Sequence, residues 1–425
     1  SKITRIEKNN IMSIDKGYIS INSDIKTNTQ KGLYLKANLP YVNLDDFISV
    51  YSEGDSGSGF KIDKADIALK HADLFDRRFN NMKIEIAPVS ASTKFKISSN
   101  ETSGNLLWTE KDNKLTARLN GLKLPNEIKK ISSTQSSSSQ KVPNLDIKID
   151  SLEVDGKKVG KLELVSMTSK QNINIQKFKI INDKNIFQAE GDWIDWNKNP
   201  ISNINFSWKI SNLGETLNFL GFPNFVKDGE ADVSGQLRWP GNPFSFDKTK
   251  VEGSFNLDVR KGIVQKVEPG IGRLFGLLTL QSLPRRLSLD FRDLFGSGFV
   301  LDTMNVAVRV NNGIMKTSNF RMDGPAAEVF MSGEINIIKE TQDLNLKVTP
   351  HISDSLSIAA LAGGPLVGAV AFIAQKILKD PLNKVLTSEY RIIGTWEKPE
   401  EVNNSAADKI KTTIDNTKNL FNDKK

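Results

Sequence analysis

The chain has 425 residues, 38% of them apolar and 25% charged, with a formal net charge of +8. That length exceeds one ordinary core, so two or three globular domains or one elongated unit are expected. A mean hydropathy of −0.35 excludes an integral membrane bundle, and the absence of cysteine excludes disulfides, thiol catalysis and thiolate metal sites. His71 and His351 are the two histidines, so a zinc or iron site would need carboxylates almost alone. A mild positive excess over this length is a solvated surface first, and an attraction to anionic headgroups or nucleic acid second. Long Lys/Arg runs interleaved with aromatics are missing, and no nucleic-acid partner is expected.

In chain order, strands dominate. Period-two alternation places one apolar face on a sheet and one polar face in water. It is weaker at Leu33, Leu35, Ala37, Leu39, at Met82, Ile84, Ile86 and at Leu115, Ala117, Leu119. It is clear at Leu145, Ile147, Ile149, at Ile204, Phe206, Trp208, Ile210 and at Ala231, Val233, Gly235, Leu237, Trp239. The same holds for Val251, Gly253, Phe255, Leu257, Val259, for Met304, Val306, Val308, Val310 and for Leu344, Leu346, Val348. Asp155-Gly156 predicts a two-residue hairpin, Asn312-Gly313 sits between two strand patterns, and Asp228-Gly229 precedes another. Successive strands joined by short turns are antiparallel neighbours, and such a series closes into a barrel, folds into a sandwich or curls into a trough. Periodicity alone leaves these three open.

Helical patterns are few. Residues 212–220 carry Leu213, Leu217 and Leu220 on one side. Residues 269–283 open on Pro269, well placed in a first turn, and stop at Pro284, with a wide apolar face of Ile271, Leu274, Phe275, Leu277 and Leu278. Residues 355–379 pass with almost no charge, but Gly363, Gly364 and Pro365 interrupt them. The part after Pro365 is about 14 residues, roughly 21 Å of helix, too short for a bilayer core of about 30 Å. The Ser-rich run at 133–140 reads as a flexible loop insertion. The expected organisation is an N-terminal β segment (1–130), a Ser-rich insertion (131–142), a C-terminal β region (143–402) and a polar tail (403–425).

Reactive motifs find little support. GDSGSG at 54–59 would need a histidine base, but no histidine precedes its serine and His71 follows it closely, so a Gly/Ser loop is expected. GIGRLFG at 270–276 has the spacing GxGxxxG and no βαβ unit after it. Asp290 and Asp293 pair a carboxylate motif with Arg285, Arg286 and Arg292, which suits an ion-paired turn. No nucleophile, base or metal set is assembled; no enzyme and no cofactor are expected. Pro284-Arg285-Arg286, after a wide apolar helix, suits either a membrane interface or a core-covering helix with cations near its C-terminal dipole.

Three stretches together carry a resemblance: VEPGIGRLFGLLTLQSLPRRLSLDFRDLF, FRMDGPAAEVFMSGEINI, and TQDLNLKVTPHISDSLSIAALAGGPLVGAVAFIAQKILKDPLNK closing on YRIIGTW. Their order resembles the C-terminal region of the YhdP branch of the AsmA-like proteins. SGNLLWTEKDNKLTARLNGLKLP and LNFLGFPNFVKDGEADVSGQLRWPGNPFSFD are similar to further family segments. The resemblance implies a mainly β fold, an elongated twisted antiparallel sheet curled into an apolar groove, with a few short helices near the C-terminal end. It implies the distal part of a lipid carrier in the periplasm of a Gram-negative bacterium, tethered to the inner membrane by an N-terminal anchor outside this chain. Its partners would be phospholipid acyl chains and a membrane surface, the outer membrane at the C-terminal end.

On that basis Val233, Leu237, Phe255, Leu257, Val306, Val308, Leu344 and Leu346 are expected to line the groove. Ile271, Leu274, Phe275, Leu278, Arg285, Arg286, Leu366, Val370, Phe372 and Ile373 are expected to close its end or dock on the acceptor membrane. The rival is a non-catalytic scaffold of the cell envelope with a filled interior.

Overall fold

The computed structural model describes residues 2–8, 11–24, 31–46, 62–74, 77–124, 142–195, 198–244, 246–265, 299–325, 327–351 and 388–402. These residues are mainly β, in 21 strands, and the chain divides into two compact units, Ser1–Ser202 and Asn203–Lys425.

Unit 1 begins with β1 (Lys2–Lys8), β2 (Ile11–Ile21), β3 (Gly32–Asn43) and β4 (Lys64–Leu74). It continues with β5 (Arg77–Val89), β6 (Ser92–Ser98), β7 (Thr102–Thr109) and β8 (Lys114–Leu124). β9 (Asn144–Val154), β10 (Lys157–Thr168), β11 (Asn172–Ile181) and β12 (Asn185–Ile194) complete it. Each strand pairs with the next in the chain. Short hairpins make antiparallel pairs, as expected. Asp155-Gly156 turns β9 into β10 with both residues at positive φ, 49° and 74°, the conformation a two-residue hairpin requires.

Three joins are parallel: β2–β3, β3–β4 and β8–β9. Parallel neighbours require the chain to return the length of a strand before pairing again, which a tight turn cannot do. Each of these joins follows a long connection, over residues 22–31, 44–63 and 125–143. The Ser-rich run therefore belongs to a crossover between two strands that pair directly.

Unit 2 takes in all but the first two residues of β13 (Ile201–Ile210), then α1 (Leu213–Phe219), β14 (Val226–Pro240) and β15 (Glu252–Val264). It continues with β16 (Phe299–Asn311), β17 (Ile314–Asp323), β18 (Ala327–Asn336), β19 (Thr341–Pro350), β20 (Ser388–Thr395) and β21 (Pro399–Val402). From β14 to β21 every successive pair is antiparallel. Asn312-Gly313 forms the expected turn, at φ 47° and 76°. Asp228-Gly229 instead lies inside β14, where both residues adopt positive φ and the ladder skips Gly229 and Lys261.

The helix expected at 212–220 is α1. Asn212 caps it: Oδ1 accepts from the Glu215 N–H at 2.9 Å while Nδ2 donates to Glu215 Oε1 at 3.0 Å, a reciprocal arrangement that satisfies an otherwise orphaned donor. Gly214 lets the helix touch β14, because a Cβ there would lie 2.6 Å from the Val226 carbonyl oxygen. The expected helices near 269–283 and 355–379, the Ser-rich run and the tail lie outside the described residues.

Each unit keeps its core on one face of its sheet. In unit 2 the buried cluster includes Ala231, Val259, Leu301, Phe320, Met322, Val329, Met331, Leu344, Leu346 and Val348. Unit 1 has a smaller cluster of Leu69, Ala72, Phe79 and Met82, with Leu39, Ile67, Ile84 and Leu122 against it.

Candidate functional site

Residues paired across adjacent strands share a sheet face, so the register can be followed from strand to strand. In unit 1 one row runs Ala37, Ile67, Ile84, Ile97, Gly104, Leu119, Ile149, Leu162, Ile180, Phe187, from β3 to β12. The neighbouring row runs Leu35, Ala65, Ile86, Phe95, Leu106, Ala117, Ile147, Leu164, Phe178, Ala189. A shorter third row joins Trp108, Leu115, Leu145, Ser166 and Ile175. No charged residue interrupts any of the three. At a strand spacing of about 4.8 Å, ten strands carry an apolar strip for roughly 43 Å.

Most of these side chains are half-buried. Ile84, Ile86, Phe95, Ile97, Leu106, Leu162, Leu164, Phe178, Ile180 and Phe187 all keep contact with solvent. A finished core buries such residues, and each exposed Å² of apolar surface forgoes about 25 cal/mol. An apolar face that stays open over so many strands is a surface on which something else can lie.

All eight residues expected to line a groove fall on one face of unit 2. Val233 pairs with Leu257, and Leu257 with Val306; Phe255 pairs with Val308; Leu237 lies opposite Gly253. Leu344 and Leu346 continue the face on β19, opposite Gly333 and Met331. Their burial differs: Leu344 and Leu346 are 2% exposed and Val308 8%, whereas Val233, Leu237, Phe255, Leu257 and Val306 are half-buried. The end-closing residues Ile271, Leu274, Phe275, Leu278, Arg285, Arg286, Leu366, Val370, Phe372 and Ile373 lie outside the described residues, as do GDSGSG, GIGRLFG and the Asp290–Asp293 pair.

Sequence reasoning passed over Met322 and Val329 at the centre of this face, which join the row of Ala231, Val259 and Met304 to Val348 across six strands. Their signal was present as Phe320/Met322 and Val329/Met331, each pair two apart. It also passed over the β10–β12 rows of unit 1, where β11 shifts register between Ile175 and Phe178 and the period of two breaks.

Glycine recurs within the apolar rows, at places where the strands come too close for a side chain. Gly333 has φ 136°, and a Cβ there would lie 2.1 Å from the Asp343 carbonyl oxygen. Such positions let a sheet bend locally without opening its ladder.

The opposite face is charged and paired. In unit 2, Arg260 reaches Asp232 at 2.8 Å, Lys316 reaches Glu334 at 2.7 Å, Arg321 reaches Glu328 at 2.6 Å and Arg391 reaches Asp343 at 2.9 Å. The Arg391 hydrogen bond holds the Asp343 carboxyl below its ordinary range. In unit 1, Arg118 meets Asp146 at 2.8 Å and Lys177 meets Glu163. Pairs of this exposure add little stability, but they identify the wet face. Elsewhere, His71 Nδ1 is 2.9 Å from Asn80 Oδ1. Among the described residues no group of three or more His, Asp or Glu converges on a metal position, and no helix is long and apolar enough to cross a membrane.

In each unit a sheet with one apolar face and one ion-paired face defines a class of protein that offers an extended greasy surface. The chain belongs to the YhdP family, whose model, described as YhdP protein, matches residues 2–401. It is similar to the intermembrane phospholipid transporter YhdP of Escherichia coli (strain K12), with 24% identity over 388 residues. That alignment covers 87% of this chain and 30% of the relative, so the chain spans about a third of that protein's length. No solved structure gives a significant match.

Proposed function

We propose that this chain is the C-terminal part of a lipid carrier that moves phospholipid between the inner and outer membranes, with acyl chains lying on the apolar face. The observation that carries this is the unbroken, half-open apolar face of unit 1, continuous in register over ten strands. Moving an acyl chain through water costs about 0.8 kcal/mol per CH₂, so a lipid with about 30 methylenes faces roughly 20 kcal/mol or more. A face of similar, non-directional contacts at every step removes most of that cost and holds the lipid in no deep trap. The similarity to a phospholipid transporter supports the same substrate class. The periplasm, with an anchor to the inner membrane outside this chain, is the compartment in which such a carrier works.

The C-terminal end is proposed to meet the acceptor membrane through the stretches 269–283 and 355–379, with Arg285 and Arg286 just beyond the first. Val264 lies opposite Phe299, Ala327 opposite Pro350, and Val348 opposite Ser388, so the strand ends that flank both stretches lie at one end of the unit 2 sheet. A hairpin between antiparallel neighbours needs only two residues, and both connections are far longer.

A scaffold of the envelope is the second reading, favoured by the near-complete burial of Leu344, Leu346 and Val348. Native mass spectrometry of the gently purified chain, with lipid extraction of the same sample, separates the two. Stoichiometric bound phospholipid is expected. A clean apo mass with no uptake of added fluorescent lipid would leave the scaffold.

A further inference from the structure

The apolar side of β14 continues past the end of the sheet. Ala231, Val233, Gly235, Leu237 and Trp239 alternate along the strand. Beyond them the 241–250 loop brings Phe246 edge-on to the buried Trp239 ring, with centroids 5.5 Å apart. Hydrogen bonds set the path of this loop. The Trp239 indole N–H donates to the Asn242 carbonyl at 3.1 Å, and Asn242 Oδ1 accepts from the Phe244 N–H at 2.9 Å. Asp247 Oδ1 accepts from the Thr249 N–H and hydroxyl at 2.9 and 2.7 Å. The loop so tied leaves Phe244 79% exposed and Phe246 56%. A turn at the same sheet end adds Ile338, 50% exposed. The ladder reaches that turn as the Asn312 N–H donates to the Val251 carbonyl and the Ile337 N–H to the Gly313 carbonyl, each at 2.9 Å.

Water disfavours exposed apolar side chains, so an ordered loop that holds two phenylalanines out in it points to a partner that buries them. The size of the patch selects the partner. The three side chains expose on the order of 300 Å², well short of the roughly 800 Å² per partner that a stable protein complex or dimer buries. A bilayer asks for no complementary surface: a few apolar side chains enter the boundary between headgroups and acyl chains, and nearby cations meet phosphates. Lys248 and Lys250 follow Phe246 in the loop and are exposed. Asp247, between them, is turned back to Thr249, and its pair with Lys250 is long, at 3.6 Å. We propose that the 241–250 loop is a bilayer contact, with Phe244 and Phe246 entering a phospholipid interface and Lys248 and Lys250 at headgroup phosphates. The loop stands at the opposite end of β15 from residues 266–298, so this contact is separate from the one proposed for them. The two share one membrane only where β15 lies along its plane. The contact does not require that the chain carry lipid.

The chain has no cysteine, so Phe244→Cys in the full chain takes a single environment-sensitive fluorophore. The partner is a vesicle of phosphatidylcholine with a minority of phosphatidylglycerol. On its addition, emission is expected to shift to the blue and to be quenched by lipids spin-labelled near the headgroup. In flotation with the same vesicles, Phe244→Ser should lower the bound fraction several-fold, and Phe244→Ser with Phe246→Ser by about tenfold or more. The unfolding midpoint of Phe244→Ser should stay unchanged, because so exposed a side chain packs on little. Water-like emission from vesicle-bound chain, or flotation unmoved by both variants, overturns the proposal and assigns the binding to other segments. A blue shift without vesicles also overturns it. If it grows with protein concentration, a second copy covers the loop; if it does not, another segment of the same chain does. Absence of any vesicle binding overturns it as well. A chain that floats through this loop yet yields no lipid on extraction keeps the bilayer contact and removes the carrier reading.

Discussion

Asp66 and Asp73 lie seven residues apart on β4, each hydrogen-bonded by a tyrosine of the parallel strand β3, Tyr34 and Tyr41. Their carboxyls nevertheless shift in opposite directions. Burial, aided by the Glu85 charge, raises Asp66; the Arg78 hydrogen bonds, at 2.8 and 2.9 Å, lower Asp73. A carboxyl lowered in the folded state stabilises above its unfolded value, near 4, and loses that contribution as pH falls through the folded value. A raised one contributes most below its unfolded value, and its contribution is lost as pH rises through the folded value. Asp73→Asn is therefore expected to lower the unfolding midpoint at pH 7 by up to a few degrees, for under about 1 kcal/mol, with the difference closing below pH 4. Asp66→Asn, which keeps an oxygen to accept from Tyr34, should leave the pH 7 midpoint equal or higher. Thermal melts of both variants between pH 3 and 7 check the two signs, and parallel curves for the two would refute the assignment.

Among the elements, the strands were legible in the sequence because a half-buried sheet writes its face directly as a period of two. α1 was legible because Leu213, Leu217 and Leu220 share one side of a helix. Pairing direction was not legible, since it depends on where a connection returns rather than on the residues it joins. The Ser-rich run shows the difference: its composition says only that it buries nothing. Its position, between Leu124 at one end of β8 and Asn144 at the other end of the parallel strand β9, requires it to be long. The return is about 33 Å for a strand of this length. Residues 125–143 reach at most about 65 Å, and deletion of 133–140 leaves at most about 40 Å, with almost no slack to pass around the sheet. That deletion is expected to lower the unfolding midpoint, whereas replacing the same residues one for one by a Gly/Asn sequence should not. Equal melting of the two variants would mean that the crossover takes a shorter path. That the eight residues expected to line a groove share one face was legible for the same reason as the strands. The missed residues lie beside bulges, between Thr317 and Phe320 in unit 2 and between Val165 and Ser166 and between Ile175 and Phe178 in unit 1, which turn the alternation over within a strand.

At the scale of the whole chain, the two units present the same kind of face in different states of closure, and this separates transport from scaffolding. Leu344 at 2% exposure behaves as core, so Leu344→Asp buries an unpaired carboxylate and should unfold unit 2. Phe178 is half-buried in the open rows of unit 1, and an aspartate there can turn its charge to water. Phe178→Asp should thus keep the far-ultraviolet signature of the sheet and most of the unfolding midpoint. In a carrier it also places a carboxylate across the acyl path, where a passing methylene chain has to strip its water, and bound phospholipid should fall several-fold. Leu257, half-buried within the unit 2 cluster, is intermediate, and Leu257→Asp should lose lipid together with some stability. A scaffold gives a different pattern: lipid content absent or unchanged in Phe178→Asp, with stability alone following burial. Circular dichroism, melting and lipid extraction on the three variants therefore discriminate the readings by order. Transport predicts that lipid loss is greatest per degree of midpoint lost where the face is most open, because there the apolar surface serves the ligand rather than the fold.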